Sequence, residues 1–212
     1  MATPLEKAHK DPESMKARIL AVARRIFGEY GFHGTTTRMI SQEVGIDIST
    51  LHYHWGEKKD LYEAVIIDIN KDLGQKLIDV EKIIHGLPLG ERMAIAIDTM
   101  TDYFFVCPEI SNIMLFRYIA KTRDNVDLRV PEFSADIARS MGLTKDRRQT
   151  PPRAMLEVLA VMNAIHNFIS GENFFRPMVN LDREEYIKTV KETLKFVLIP
   201  AFVQREENLN GS

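Results

Sequence analysis

Between positions 36 and 58 the chain sets out a series of hydrogen-bond donors: Thr36, Thr37, Arg38, Ser49, Thr50, His52, Tyr53, His54 and Lys58. Thr36 and Thr37 fall where a short helix should start, and hydroxyls beside the free amides of a helix N-terminus suit phosphate oxygens. A guanidinium such as that of Arg38 can hold a guanine edge through two hydrogen bonds, an interaction worth about 1–3 kcal/mol of base discrimination. The bland alternative for Arg38 is a phosphate contact. The His52-x-His54 pair invites a metal, but residues two apart do not face each other on a helix. Neither a nearby cysteine nor paired carboxylates complete such a site, so no metal is expected. Cys107 is the chain's one cysteine and is not expected to act as a catalytic thiol. With no glycine-rich phosphate loop, nucleophile elbow or His-Glu-x-x-His motif, the reading is of a protein that binds: no enzyme, no catalytic residue and no cofactor.

Positioning these donors falls to helices. No sustained alternation of period two rich in β-branched residues occurs, so the expected class is all-α. A first helix should begin after Asp11, with Pro12 at its first position, and carry Ile19, Ala23, Ile26, Phe27 and Tyr30 on one face until Gly31 ends it. Thr35 is the expected cap of a segment from Thr36 to about Glu43, Gly45 allows a tight turn, and Asp47 caps a helix to about Tyr53. Two-turn helices are unstable alone, so these must pack on the first through Ile40, Val44, Ile46 and Leu51. A long helix follows from Lys58 to Ile84, with Leu61, Val65, Ile69, Leu73 and Leu77 along it. Further helices are expected at about 91–106, 109–121 and 131–141, then 151–170 behind a Thr150 cap. The last starts at Asp182 and is kinked or ended by Pro200.

The chain has 212 residues, 45% of them apolar, and a net charge of −2. That suffices for a core without disulfide or metal support and places the chain among ordinary globular proteins. Such a small charge argues against a protein that coats nucleic acid. Through Leu61 the formal charge is +1 and over the remainder −3, and four of the six histidines, His9, His33, His52 and His54, lie in the first stretch. A lone cysteine, no apolar leader and no long apolar run point to a reducing cytoplasm without a membrane span.

The segment Arg18–Leu61 combines a first helix ending Phe-x-x-x-Gly-Phe, a Thr-Thr start to the second, a Val-Gly-Ile turn, Thr-Leu-x-x-His-aromatic and Lys-x-x-Leu. It resembles the TetR family signature over some 45 residues. The resemblance implies an N-terminal three-helix helix-turn-helix unit, residues 1–61, whose second helix crosses the DNA backbone and whose third enters the major groove. A larger helical ligand-binding and dimerisation domain, residues 62–212, would follow. On this reading Arg38, Ile48, Ser49 and Tyr53 read bases, Lys58 matches a backbone-contacting lysine of the family, and Thr50, His52 and His54 belong to the same surface. One departure stands out: the family's phosphate-binding tyrosine is His52 here. Either His52 donates in its place, with a pH dependence, or Tyr53 takes part of the task.

The resemblance further implies a double-stranded operator, a small-molecule effector of unknown identity, and a homodimer through the last two helices. Met100, Phe104, Cys107, Met114, Phe116, Tyr118, Met155, Met162 and His166 are the candidate pocket residues, apolar with a few polar handles. Plain core packing is the competing reading of each. Asn163 and Asn167 could likewise contact ligand or set dimer register. The expected function is repression relieved by the effector; the alternative is a TetR-like DNA-binding organiser without one.

Overall fold

The computed structural model describes residues 2–119 and 130–210, with the side chains at 118, 130, 131, 147 and 205–210 excepted. Among the described residues every element is helical: α1 (Pro4–Lys10), α2 (Met15–Gly34), α3 (Thr37–Val44), α4 (Ile48–Trp55), α5 (Lys58–Ile84), α6 (Leu89–Val106), α7 (Pro108–Ile119), α8 (Val130–Ser140), α9 (Pro152–Ser170), α10 (Glu172–Val179) and α11 (Arg183–Asn210), with a 3-10 turn at Arg147–Gln149. Packing divides the chain into two compact units, Met1–Leu73 with Glu109–Leu128, and Gly74–Pro108 with Arg129–Ser212.

In the first unit α1 was not anticipated. Thr3 caps it by accepting the Glu6 amide at 3.1 Å while the Glu6 carboxylate takes the Thr3 amide at 2.8 Å, a reciprocal box that stabilises even seven residues. Asp11 therefore closes α1 instead of opening α2, and Ser14 caps α2 through the Ala17 amide. Ile19, Ala23, Ile26 and Phe27 are buried as expected, whereas Tyr30 stands 46% exposed. The Tyr62 ring of α5 meets Phe27 edge-on, with centroids 4.9 Å apart.

A partly buried cation ties three helices of this unit together. Arg24 of α2 donates from Nε to Glu109 of α7 at 2.9 Å, and from Nη1 to Asp68 at 2.9 Å and Asp72 at 2.5 Å on α5. Burial alone would lower the guanidinium pKa; the hydrogen bond to Asp72 and the charges of Glu109, Asp72 and Asp68 outweigh it and raise the pKa. Asp68 is also bonded by His9 Nε2 at 2.7 Å, which brings α1 into the same cluster. Helix α7 lies directly on α2 where α2 has no side chain: a Cβ at Gly28 would fall 2.4 Å from Glu109 Cβ and 2.7 Å from its Cα.

In the second unit Leu89, Met93, Ala138, Met141, Ala154 and Val158 form a core shared by α6, α8 and α9. Lys191 and Lys195 of α11 reach Asp102 and Asp98 of α6 at 2.8 and 2.9 Å. Three expectations are corrected here. Thr150 makes no cap, since Pro151 occupies that position and no side chain bonds the first turn of α9. Helix α10 intervenes before the last helix, hidden in sequence by Pro177 inside it. Pro200 does not end α11, which runs on to Asn210. Among the described residues no single helix is long and apolar enough to cross a membrane.

Gly28→Ala must push Glu109 backbone away, and overpacking of this kind costs about 1–3 kcal/mol. Urea unfolding of the variant should show that loss; unchanged stability would mean the α2–α7 approach is looser than described.

Candidate nucleic-acid interface

Thr36, not Thr35, is the cap of α3: its hydroxyl accepts the Met39 amide at 3.2 Å. Thr35 is fully buried and its hydroxyl donates back to the Gly31 carbonyl at 2.7 Å, which closes α2. The sequence offers three threonines in a row, and only tertiary burial distinguishes them. At the other end of α3, Gly45 adopts φ 81°, ψ 36°, a left-handed conformation that glycine alone takes without cost. Asp47 then caps α4, accepting the Thr50 amide at 2.7 Å and the Ser49 hydroxyl at 2.6 Å. The Ser49 hydroxyl first, and the Thr50 amide next, hold the Asp47 carboxyl below its ordinary range.

Helix α4 is seated by two residues one turn apart, Leu51 and Trp55, both buried. The Trp55 indole N–H donates to the Lys16 carbonyl of α2 at 3.3 Å. With that edge inward, Ser49 and Tyr53 are left exposed, Tyr53 to 84%. Thr36 and Arg38 of α3 are exposed as well, while Thr37, Ile48, Thr50 and His52 are half-buried. A threonine-capped α3 and an α4 that buries two residues and exposes a serine and a tyrosine can offer hydroxyl and guanidinium donors to a groove.

Three of the expected contact residues are already engaged within the unit. His52 donates from Nδ1 to the Gly56 carbonyl at 2.8 Å. His54 Nδ1 lies 2.8 Å from the Lys16 ammonium, and burial first, then the Lys16 charge, lowers its pKa. Lys58 donates to the Phe32 and Thr35 carbonyls at 3.0 and 2.9 Å and sits 4.4 Å from the Phe32 ring centroid. It thereby satisfies carbonyls at the end of α2. Lys16 was not anticipated; 38 residues separate it from His54, and no local pattern connects them.

The description "Bacterial regulatory proteins, tetR family" matches residues 19–65, the span that holds α3, α4 and their seat. Over that segment the chain is similar to the TetR family. Curated TetR-family relatives agree: the HTH-type transcriptional regulator UidR of Escherichia coli K12 is 28% identical over 101 residues, 48% of this chain and 50% of that protein. The HTH-type transcriptional repressor AcnR of Corynebacterium glutamicum is 33% identical over 54 residues, 26% of this chain and 29% of its own. The match thus spans about half the length of UidR. A TetR-like transcriptional regulator from Rhodococcus sp. RHA1 shares the fold, with a TM-score of 0.54 at 17% identity, over 93% of this chain and 96% of that one.

The expected pocket residues do not all gather. Met100, Phe104 and His166 are buried in the second unit, the His166 and Phe104 rings 4.7 Å apart at 62°. Met155 and Met162 are half-buried on the same α9, and Cys107 is half-buried at the end of α6. Met114 and Phe116 instead belong to the first unit, Met114 fully buried there and Phe116 lying against Gly31. Tyr118 lies outside the described side chains. A surface groove of about 350 Å³, lined by Asp98, Glu184, Ile187, Lys188, Lys191, Glu192 and Lys195, includes none of the expected residues.

Burial pushes the His166 imidazole from 6.5 down to about 4. The unfolded chain protonates this ring below pH 6.5 while the folded chain refuses the proton until about pH 4. Its contribution is therefore complete above pH 6.5 and lost as pH falls towards 4, by up to about 3 kcal/mol. His166→Leu takes up no proton at this site. The stability gap between wild type and variant in urea unfolding should move in the variant's favour between pH 7 and pH 4; a constant gap would show a ring that titrates normally.

Proposed function

We propose that this chain is a sequence-specific DNA-binding transcription regulator: a homodimeric repressor that leaves a palindromic operator when a small-molecule effector binds. The observation that carries the reading is the family match over residues 19–65 falling on a helix pair that is capped, seated and polar on its outer side. The wording of AcnR's name, a repressor, supports the sign of regulation. In a dimer the two copies of α4 would enter successive major grooves about 34–36 Å apart. Arg38 is the residue assigned to a guanine, with Ile48, Ser49 and Tyr53 beside it, and Thr36 and Thr37 to phosphates.

Dimerisation is supported by apolar side chains exposed on the C-terminal helices of the second unit: Leu156 of α9, Phe174 and Met178 of α10, and Phe196 and Val197 of α11, each more than 60% exposed. A monomer seldom leaves so many large apolar groups in water, and a self-complementary patch is buried by a second copy. Effector binding is assigned to the second unit around Met100, Phe104, Met162 and His166, where the Phe104 ring packs against a buried, neutral imidazole. Only an effector with unequal affinity for the operator-bound and free arrangements can shift the equilibrium between them.

Selection of DNA by the purified protein, followed by titration over a salt series, tests the reading. A palindromic site bound by a dimer is expected, and Arg38→Ala should relax the preference at one guanine per half-site by about 1–3 kcal/mol. Salt-sensitive binding without sequence preference would favour the organiser reading, and no binding at all would refute the assignment. Release of the selected operator by a small molecule separates a ligand-controlled repressor from an organiser.

A further inference from the structure

We infer that Lys16, His54 and Lys7 form a binding site for the phosphodiester backbone of DNA beside the recognition helix, so that the interface extends beyond the helix-turn-helix to the N-terminal helix. The inference rests on the DNA-binding reading above and adds Lys16 and Lys7, which that reading does not include.

The chemistry begins at the 2.8 Å approach of Lys16 Nζ to His54 Nδ1. An ammonium has only N–H groups to give, so Nδ1 must present its lone pair and the neutral ring must carry its proton on Nε2. His54 is then a neutral donor, available to an anionic oxygen without taking up a second proton. Its lowered pKa, from burial and from Lys16, keeps it in that form. His52 has the opposite tautomer. Its Nδ1 faces the Gly56 carbonyl, which can only accept, so the proton sits on Nδ1 and Nε2 is a lone pair. A phosphate oxygen also only accepts, and neutral His52 offers it nothing. The donor expected at position 52 is therefore supplied two residues later, with Lys16 as its partner.

Lys16 is fixed to α4 at two points, its side chain on His54 and its carbonyl under the Trp55 indole. It keeps two further ammonium hydrogens for an anion. Helix α1 packs on α2 with Ala8, the residue after Lys7, buried, and the Lys7 charge lowers the Lys16 pKa, second to burial. Neither Lys7 nor Lys16 has an ion-pair partner among the described residues. His9, two positions on and so on another side of α1, holds that helix to α5 through Asp68 and Lys71. Three nitrogen donors are thus assembled without an acid, an arrangement that repels itself in the free protein and is relieved by a phosphate.

The test uses the full-length protein on its selected operator, with affinity measured over a salt series. Removing one phosphate interaction makes the plot of log affinity against log salt shallower by about 0.9, so Lys7→Ala should flatten it by about 1.8 in a dimer, with base preference unchanged. Lys16→Met should flatten it similarly; exposed Lys7 supplies the decisive variant should Lys16→Met fail to fold. Lys82→Ala removes the same charge at the far end of α5 and should keep the wild-type slope. Wild-type slopes in both Lys7→Ala and Lys16→Met, on an operator that the wild type still binds specifically, overturn the proposal while leaving the regulator reading intact. An equal flattening in Lys82→Ala also overturns it, since net charge would then be the cause. Wild-type protein that selects no operator overturns the regulator reading and this site with it. Imidazole nitrogen NMR gives a readout independent of DNA: the Nε2–H tautomer for His54 is expected, and Nδ1–H overturns the scheme.

Discussion

A guanidinium removed from most of its water has to find carboxylates, and in the first unit Arg24 finds them on two other helices. Its side chain is 14% exposed, those of Asp68 and Glu109 12% and 19%. At such burial the attraction repays desolvation only with good geometry, so the cluster contributes mainly by fixing one arrangement of α2, α5 and α7 among several that apolar packing would permit. Gly28 supplies the complementary constraint, since α7 can approach Arg24's helix closely only where no Cβ intervenes. With α2 fixed, its N-terminal end becomes the seat for α4, through Leu51, Trp55 and the two bonds at Lys16.

Several residues of the proposed DNA-binding surface are bonded within the protein itself. Lys58 closes the end of α2, His52 closes the end of α4 on Gly56, and Asp47 organises its start. Side chains held this way lose little rotamer freedom on binding. Tyr53 and Arg38, which are exposed, keep theirs. The surface thus divides into side chains engaged within the unit and exposed ones that are not.

Much of this was legible from residue order. Asp47 four residues before Leu51 and eight before Trp55, and Gly45 between two short helices, are local signals, and α3, the turn, α4 and the 27-residue α5 follow from them. Where order failed, distance or brevity was the reason. Helix α1 is too short for periodicity and rests on a capping box; α10 contains a proline that reads as a break. The pairing of Lys16 with His54 joins two helices. Candidate pocket residues were the least legible, because methionine and phenylalanine at helical spacing look the same in a core and in a cavity. Packing separated Met114 and Phe116 from Met100 and His166.

Trp55 is the chain's one tryptophan, and it sits in α4, 4% exposed, with its indole N–H on the Lys16 carbonyl. The tryptophan emission of the molecule therefore originates at the place where α4 rests on α2. Excited at the red edge, beyond the absorption of the six tyrosines, the protein carries its own optical probe of that seat, whose colour and quenching follow α4 without a label.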